Sequence, residues 1–522
     1  MRAVTPPRSV DVLVLGGGTS GAILAGRLAE RSGVTVLVLE AGPDYGPLEA
    51  GRWPGELLDA AELPLTHDWG YTSGDQIAGR VIGFERGRVI GGCSSHNGCQ
   101  IAIGHRCDYD GWAAAGNPGW AADDLVPHVA AAKDRLRVRN VTDEELTPFG
   151  RASLEALVAA GIPRARDLTD TDDGIGVAPN PVNVVGRVRW NAAFAYLDPV
   201  RGMRLDVIGD ALVGRLMVRG TRVVGAVAVI DGQPVEIHAG LVAVCAGVYG
   251  SPAILLRSGI GDPAELARLG IGPVHALPGV GRNLHDHPAI ELRYAGTPEL
   301  ERRSREFASR AFHPEEQLIA KIRSSRCPAG FDLHIYTQGG ARRQDPDRWI
   351  WEFMAAVLTP RSRGSLRLSS PAPDAVPIID HAFLTDPGGD DLALLAEGFA
   401  YVRTVTQRPE LACLLGKETT PGDAVRSAAD VDAELKRSFV HAYHPVGTCK
   451  MGPDTDAEAV VDSSARIHGL TGGYVVDASI MPVVPRANTN LPAAVVAERV
   501  AALLTDDHSS IQQKEQGWPD SR

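Results

Sequence analysis

Cysteine is sparse in this chain, with seven residues at 93, 99, 107, 245, 327, 413 and 449. An odd, scattered set excludes a disulfide framework, and reduced thiols in a cytoplasmic protein are expected. No pair has CxxC spacing and no His/Cys group has zinc spacing, so no metal is expected. A basic excess is also missing. Lys and Arg total 52 against 64 Asp and Glu, a formal charge of −12. That balance argues against nucleic acid as a partner, because phosphate binding needs a positive surface. Membrane-length apolar segments are missing too. The longest stretch free of Asp, Glu, Lys and Arg, 237–256, is interrupted by His238, Gly240, Gly247, Gly250, Ser251 and Pro252. It reads as strand, turn and helix start, so no membrane span is expected. The apolar run after Val10 is short and contains Asp11, unlike a secretory signal. No repeat of 20–50 residues is visible.

What is present is ordinary globular material: 522 residues, 44% apolar and 22% charged. That length fits about three domains or one large two-part enzyme. The 58 glycines have no regular period, which excludes collagen and points to tight turns and close backbone approaches.

The first forty residues read as one βαβ unit. Val10–Leu15 is a buried-strand run, Gly16-Gly17-Gly18-Thr19-Ser20-Gly21 follows, and Ala22, Ala25, Leu28 and Ala29 recur at helical spacing. Gly33 stops that helix, and Val34–Leu39 is a second strand ending at Glu40. In GxGxxG, Gly16 allows the turn, Gly18 lets backbone N–H groups approach a pyrophosphate, and Gly21 lets helix and strand pack closely. The helix N-terminus at Thr19 and Ser20 adds a partial positive charge. Glu40 stands where a carboxylate binds ribose hydroxyls. FAD and NAD both use this unit, so the motif alone leaves the choice open.

Further on, residues 105–160 read as mainly helical, broken at Asn117-Pro118-Gly119, and 205–245 carry β-type runs. Residues 290–380 look less regular, and the Arg- and Glu-rich stretch 299–346 suggests mobile loops. Asp390–Thr406 and Ala493–Leu504 read as helices, Tyr474–Asp477 as a short strand, and Asp506–Arg522 as a disordered tail.

Gly87-Arg88-Val89-Ile90-Gly91-Gly92-Cys93-Ser94-Ser95-His96-Asn97-Gly98 resembles the first signature of the glucose–methanol–choline (GMC) flavoprotein family. Gly250-Ser251-Pro252, continuing through Ser258-Gly259-Ile260-Gly261, resembles its second. Glu40-Ala41-Gly42, Asn283-Leu284-His285-Asp286-His287-Pro288, the run from His444 to Gly452, Asp477 to Pro482, and Asn488-Thr489-Asn490 are family-like, and all occur in family order. The resemblance implies an α/β fold: a Rossmann-like FAD-binding domain with an interleaved α+β substrate domain containing an antiparallel sheet. Residues 1–285 would form mainly the FAD domain and 286–440 mainly the substrate domain. Residues 441–505 would carry the catalytic motifs back to the FAD domain, and 506–522 the tail.

The resemblance further implies FAD rather than NAD, and oxidation of an alcohol, with oxygen or another acceptor taking the electrons. It assigns to the cofactor Gly16, Gly18, Thr19, Ser20, Gly21, Glu40, Ala41, Trp69, Val89, Gly91, His96, Asn97, Gly98, Val213, Asp477 and Thr489. The block around His96 is choline-oxidase-like, which implies a covalent bond from His96 to the flavin ring; an uncoupled histidine lining the pocket is the other reading. His444 is the implied base and Asn488 the implied hydrogen-bond partner of the developing alkoxide. Tyr443 is an expected aromatic wall for substrate, and Trp53 a second. His441 is expected to be an outer or surface residue, and His285 and His287 part of a structural turn. Ala289 stands where an acid would meet a choline cation, and Gly98 replaces a serine near the flavin; both departures point to a larger or neutral alcohol, such as a glycoside, an aromatic alcohol or an aliphatic polyol. Two other functions share the fold: a redox-neutral flavin lyase and a non-catalytic FAD-binding protein.

Overall fold

The computed structural model describes residues 7–31, 33–73, 79–342 and 345–506. The expected N-terminal segment up to residue 6 and the expected tail beyond Asp506 lie outside them.

Val12 to Leu15 is a four-residue run with no polar side chain, and it is fully buried on both faces. Such strands form parallel sheets covered by helices. Leu205–Ile208, Val36–Leu39, Ser9–Leu15 and Gln233–Val244 lie side by side in that order, all parallel. Arg222–Ile230 and Ala211–Arg219 continue the sheet as antiparallel strands. The last strand, Gly473–Val475, pairs in parallel with Val242–Val244. The C-terminal part of the chain thus returns to the sheet begun at residue 9.

Thr19–Arg31 follows the glycine turn as a helix, and Asn490–Asp506 packs against it. Both faces are small and apolar, apart from one buried clasp. Arg27 Nη2 lies 2.7 Å from Glu498 Oε1, Arg27 Nε donates to both carboxylate oxygens, and Tyr196 Oη donates to Oε1 at 2.7 Å.

A second, antiparallel sheet has the order Leu415–Thr420, Pro288–Gly296, Asp345–Val357, Leu333–Arg342, Glu316–Ile322, Gly176–Pro179, with Val440–His441 alongside Pro288–Ala289. The expectation of mobile loops over 299–346 is therefore corrected: this stretch holds the helix Pro298–Ala308, two central strands and the start of a third. The Asp390–Thr406 helix has the boundaries its periodicity suggests and buries Leu394, Leu395, Phe399 and Val402 beneath the sheet. Among the described residues no helix is long and apolar enough to cross a membrane.

Candidate active site

A cleft of about 700 Å³ runs between the two sheets. One end is the glycine turn. A Cβ at Gly16, where φ is +104°, would stand 2.6 Å from the Cys245 carbonyl oxygen, and one at Gly21 would stand 1.9 Å from that of Gly16. Each glycine is therefore required by a close backbone approach. Gly92 belongs to the second glycine loop and faces the first: a Cβ there would lie 2.7 Å from the Gly18 Cα. Gly91 N donates to Gly17 O at 2.7 Å, locking the loops together.

Glu40 closes the adjoining strand. Its Oε2 accepts from Gly17 N at 2.9 Å and its Oε1 from Gly42 N at 2.8 Å. Burial pushes this carboxyl up to about 7, against the pull of the two amides. Glu40 thus braces the glycine turn, and each oxygen keeps a second lone pair for a ribose hydroxyl.

Of the sequence-derived cofactor residues, Gly16, Gly18, Thr19, Ser20, Glu40, Ala41, Trp69, His96, Asn97, Gly98, Val213, Asp477 and Thr489 line this cleft, as do His444, Asn488 and Tyr443. Gly21, Val89 and Gly91 stand behind the lining and shape the loops. The Asp477 carboxylate accepts from Gly247 N, Ser251 Oγ and Ser479 N, which ties the second signature to the returning strand. Trp53 does not line the cleft. It is buried against Tyr45 and Phe194, with its indole N–H on the Gly46 carbonyl, so its expected role as an aromatic wall is corrected.

The other end of the cleft carries acid–base groups. Tyr443 adopts a left-handed φ of +62° and is 47% exposed. Arg86 donates twice to its carbonyl at 3.1 Å. That turn delivers His444 into the interior, where its Nδ1 lies 3.0 Å from His287 Nδ1. Asp286 Oδ1 accepts from the backbone N–H groups of His287 and His444 at 2.7 and 2.8 Å. Asp286 Oδ2 lies 3.3 Å from His441 Nδ1. His441 is therefore buried at the site and not a surface residue, and His287 contacts the candidate base directly. His285 keeps the turn role expected of it, between Asn283 O and Val484 N.

Burial, reinforced by His287, holds His444 well below the usual histidine range; Asp286 opposes the shift. The imidazole is consequently neutral at neutral pH. Burial lowers His287 to about 4, while the carbonyls of Leu358 and Pro485 favour a proton on its ring. Where His444 Nδ1 carries the proton in this pair, His287 Nδ1 accepts the hydrogen bond and His444 Nε2 keeps its lone pair. Asp286 stays below the ordinary carboxylate range despite burial, because His441 and the neighbouring imidazoles stabilise its charge.

Asn488 Nδ2 donates to Gln100 Oε1 at 3.3 Å, its amide also interacts with the Tyr336 hydroxyl, and its Oδ1 is buried without a partner. His96 Nε2 lies 2.7 Å from the Thr66 carbonyl, which requires this nitrogen to donate and leaves the lone pair on Nδ1. The sequence reading missed Gln100, Tyr336, Gln338, Glu316 and Met354, which line the cleft from or beside the second sheet. The alternation of Tyr336 and Gln338 was their one visible signal. Among the described residues no group of three or more His, Cys, Asp or Glu is arranged to hold a metal.

The GMC oxidoreductase family matches residues 10–289 with its N-terminal part and 360–497 with its C-terminal part. The chain belongs to the GMC oxidoreductase family. It is 33% identical to an oxygen-dependent choline dehydrogenase of Pseudomonas savastanoi pv. phaseolicola, over 95% of this chain and 94% of the relative. It is 30% identical to pyridoxine 4-oxidase from Mesorbium loti, with a TM-score of 0.84 over 94% of this chain and 98% of that one. A fungal aryl-alcohol oxidase, 22% identical with a TM-score of 0.79 over 96% of this chain and all of that one, shares the fold. This GMC oxidoreductase carries a cleft that fits FAD. The facing glycine loops exclude side chains where a pyrophosphate passes, Val213 and Glu40 flank one end, and the orphaned Asn488 Oδ1 stands at the other.

Proposed function

We propose that this GMC oxidoreductase oxidises a CH–OH group of a small alcohol to a carbonyl, with His444 as base. The single observation that carries the proposal is the neutral His444 imidazole, fixed through Nδ1 by His287, on a cleft it shares with Asn488. Bound FAD, held by the facing glycine loops, Glu40 and Asp477, would supply the hydride acceptor at flavin N5, with oxygen or another acceptor taking up the electrons. His444 Nε2 accepts the hydroxyl proton as the C–H bond breaks, so the alcohol loses one proton and one hydride. The Asn488 amide steadies the charge developing on oxygen. Asp286 fixes the backbone of both histidines and restrains His441 beside them.

His96 is the proposed site of a covalent bond to the flavin. We place the enzyme in the cytoplasm, with a small alcohol and an electron acceptor as partners and no nucleic acid. Ala289 is fully buried and off the cleft lining, whereas Glu291 and Glu316 are on it. The lack of an acid at 289 therefore does not leave the cleft without carboxylates, and choline and pyridoxine are the first alcohols to test. In anaerobic stopped-flow, His444→Ala should retain FAD and slow flavin reduction by about 10²–10⁴-fold. Near-wild-type reduction at neutral pH would remove His444 from its role. Product formation from the wild type without flavin bleaching would indicate a redox-neutral lyase.

A further inference from the structure

The cleft face of the second sheet carries two rows of cross-strand neighbours. Glu291, Met354 and Tyr336 form one; Arg293, Glu352, Gln338 and Glu316 form the other. Three acids, Glu291, Glu352 and Glu316, stand in these rows, and they are not equivalent. Glu291 is paired with Arg293 at 2.6 Å, and Arg293 also contacts Glu352. Among the described residues, no Lys or Arg lies within ion-pair distance of Glu316.

The surroundings of Glu316 are neutral amides and a like charge. Its Oε1 accepts from Gln338 Nε2 at 2.5 Å, and Gln100 hydrogen-bonds to it. Gln100 also accepts from Asn488 Nδ2. The carboxyl is thus one side chain removed from the amide assigned to the reacting oxygen, on the same cleft. Burial, with Glu315 adding to it, pushes Glu316 up to about 8. A desolvated carboxyl without a cation is unfavourable when charged, and a basic group supplied by a ligand removes that penalty.

We infer that Glu316 recognises a basic nitrogen on the substrate, so that the enzyme acts on alcohols bearing an amine or a ring nitrogen in preference to neutral alcohols of equal size. This rests on the alcohol-oxidation reading of the same cleft. On binding, an aliphatic amine arrives as its ammonium and displaces the Glu316 proton to solvent, giving a carboxylate–ammonium pair, whereas a neutral pyridine nitrogen accepts a hydrogen bond from the Glu316 carboxylic O–H. The Asn488–Gln100–Glu316 chain spaces that pair from the carbon being oxidised.

The test compares 3-pyridylmethanol with benzyl alcohol, two substrates of one shape, in anaerobic flavin reduction by the holoenzyme. The wild type should favour the pyridine by about tenfold or more in kcat/KM. Glu316→Leu should abolish the preference and Glu316→Gln should reduce it, through KM more than through kcat. A parallel titration with 3-methylpyridine and toluene, followed by flavin absorbance, reads binding without turnover. If neither alcohol reduces the flavin but 3-methylpyridine still binds in a Glu316-dependent way, alcohol oxidation fails and the recognition role stands. An unchanged pyridine-to-benzene ratio in both Glu316 variants would overturn the inference. So would a ratio that collapses in Glu291→Gln instead.

Discussion

Glu498→Ala tests how the two ends of the chain are held together. Glu498 and Arg27 join the last helix to the first, and their side chains are 2% and 8% exposed. The carboxylate receives Arg27 Nε, Arg27 Nη2 and Tyr196 Oη. Truncation removes the Glu498 partner of Arg27 Nε and Nη2 in a nearly dry interface and leaves Arg27 Nη1 on Glu30 at 3.3 Å. Breaking one side of such a pair costs up to about 3–5 kcal/mol, a factor of roughly 150 to 5,000 in a folding equilibrium. Part of that loss should appear as flavin release, because the last helix also touches the glycine turn through Ser20 Oγ and the Ala493 carbonyl. A thermal ramp monitored by free-flavin fluorescence measures it. Glu498→Ala should melt earliest and Glu498→Gln, which keeps the Tyr196 partner, later. An Arg27→Met, Glu498→Leu double variant should recover most of the loss, since a packed apolar pair can replace a buried ion pair at little cost. A double variant as unstable as Glu498→Ala, or a single variant indistinguishable from wild type, would refute the clasp.

Acid-precipitated protein should keep its yellow flavin, and a peptide containing His96 should gain the mass of FAD; complete release of FAD rules out the tether. His96→Asn should still bind FAD noncovalently, measured by absorbance after gel filtration. Gly21→Ala drives a methyl into the Gly16 carbonyl, a misfit of about 1–3 kcal/mol, so FAD affinity should fall roughly 5- to 150-fold by fluorescence titration. His287, lowered from 6.5 to about 4, binds its proton more weakly folded than unfolded. Its contribution is full above about pH 6.5 and is lost as pH falls towards 4. Urea midpoints should therefore decline over that window, and less steeply in His287→Gln; parallel profiles would contradict the buried neutral histidine.

The nucleotide half of the cleft was legible because its logic is local. A run such as Val12–Leu15, a glycine turn and a small-residue helix each declare themselves over a few positions. The family motifs then carried His444, Asn488 and His96. The substrate half was not legible. Strands such as Leu333–Arg342 turn Tyr336 and Gln338 towards the cleft and contain Gly339-Gly340, so they imitate a loop. The pairing of His287 with His444 joins residues 157 positions apart, and no spacing rule reaches that far. Trp53 misled for the converse reason: an aromatic residue in a polar stretch suggests a wall, yet it fills the core.

The return of Gly473–Val475 to the sheet begun at Ser9 has a consequence for biosynthesis. A ribosome adding about 5–20 residues per second needs roughly 25–90 s between those segments. For roughly 11–46 s of that interval, once residue 244 has been made, the growing chain exposes the unpaired edge at Val242–Val244, along with the apolar face of its first helix. FAD cannot be enclosed until Asn488 and the final helix emerge, so cofactor loading follows translation. Truncated messages ending before residue 473 should yield flavin-free, chaperone-dependent or aggregating fragments, however complete their glycine turn.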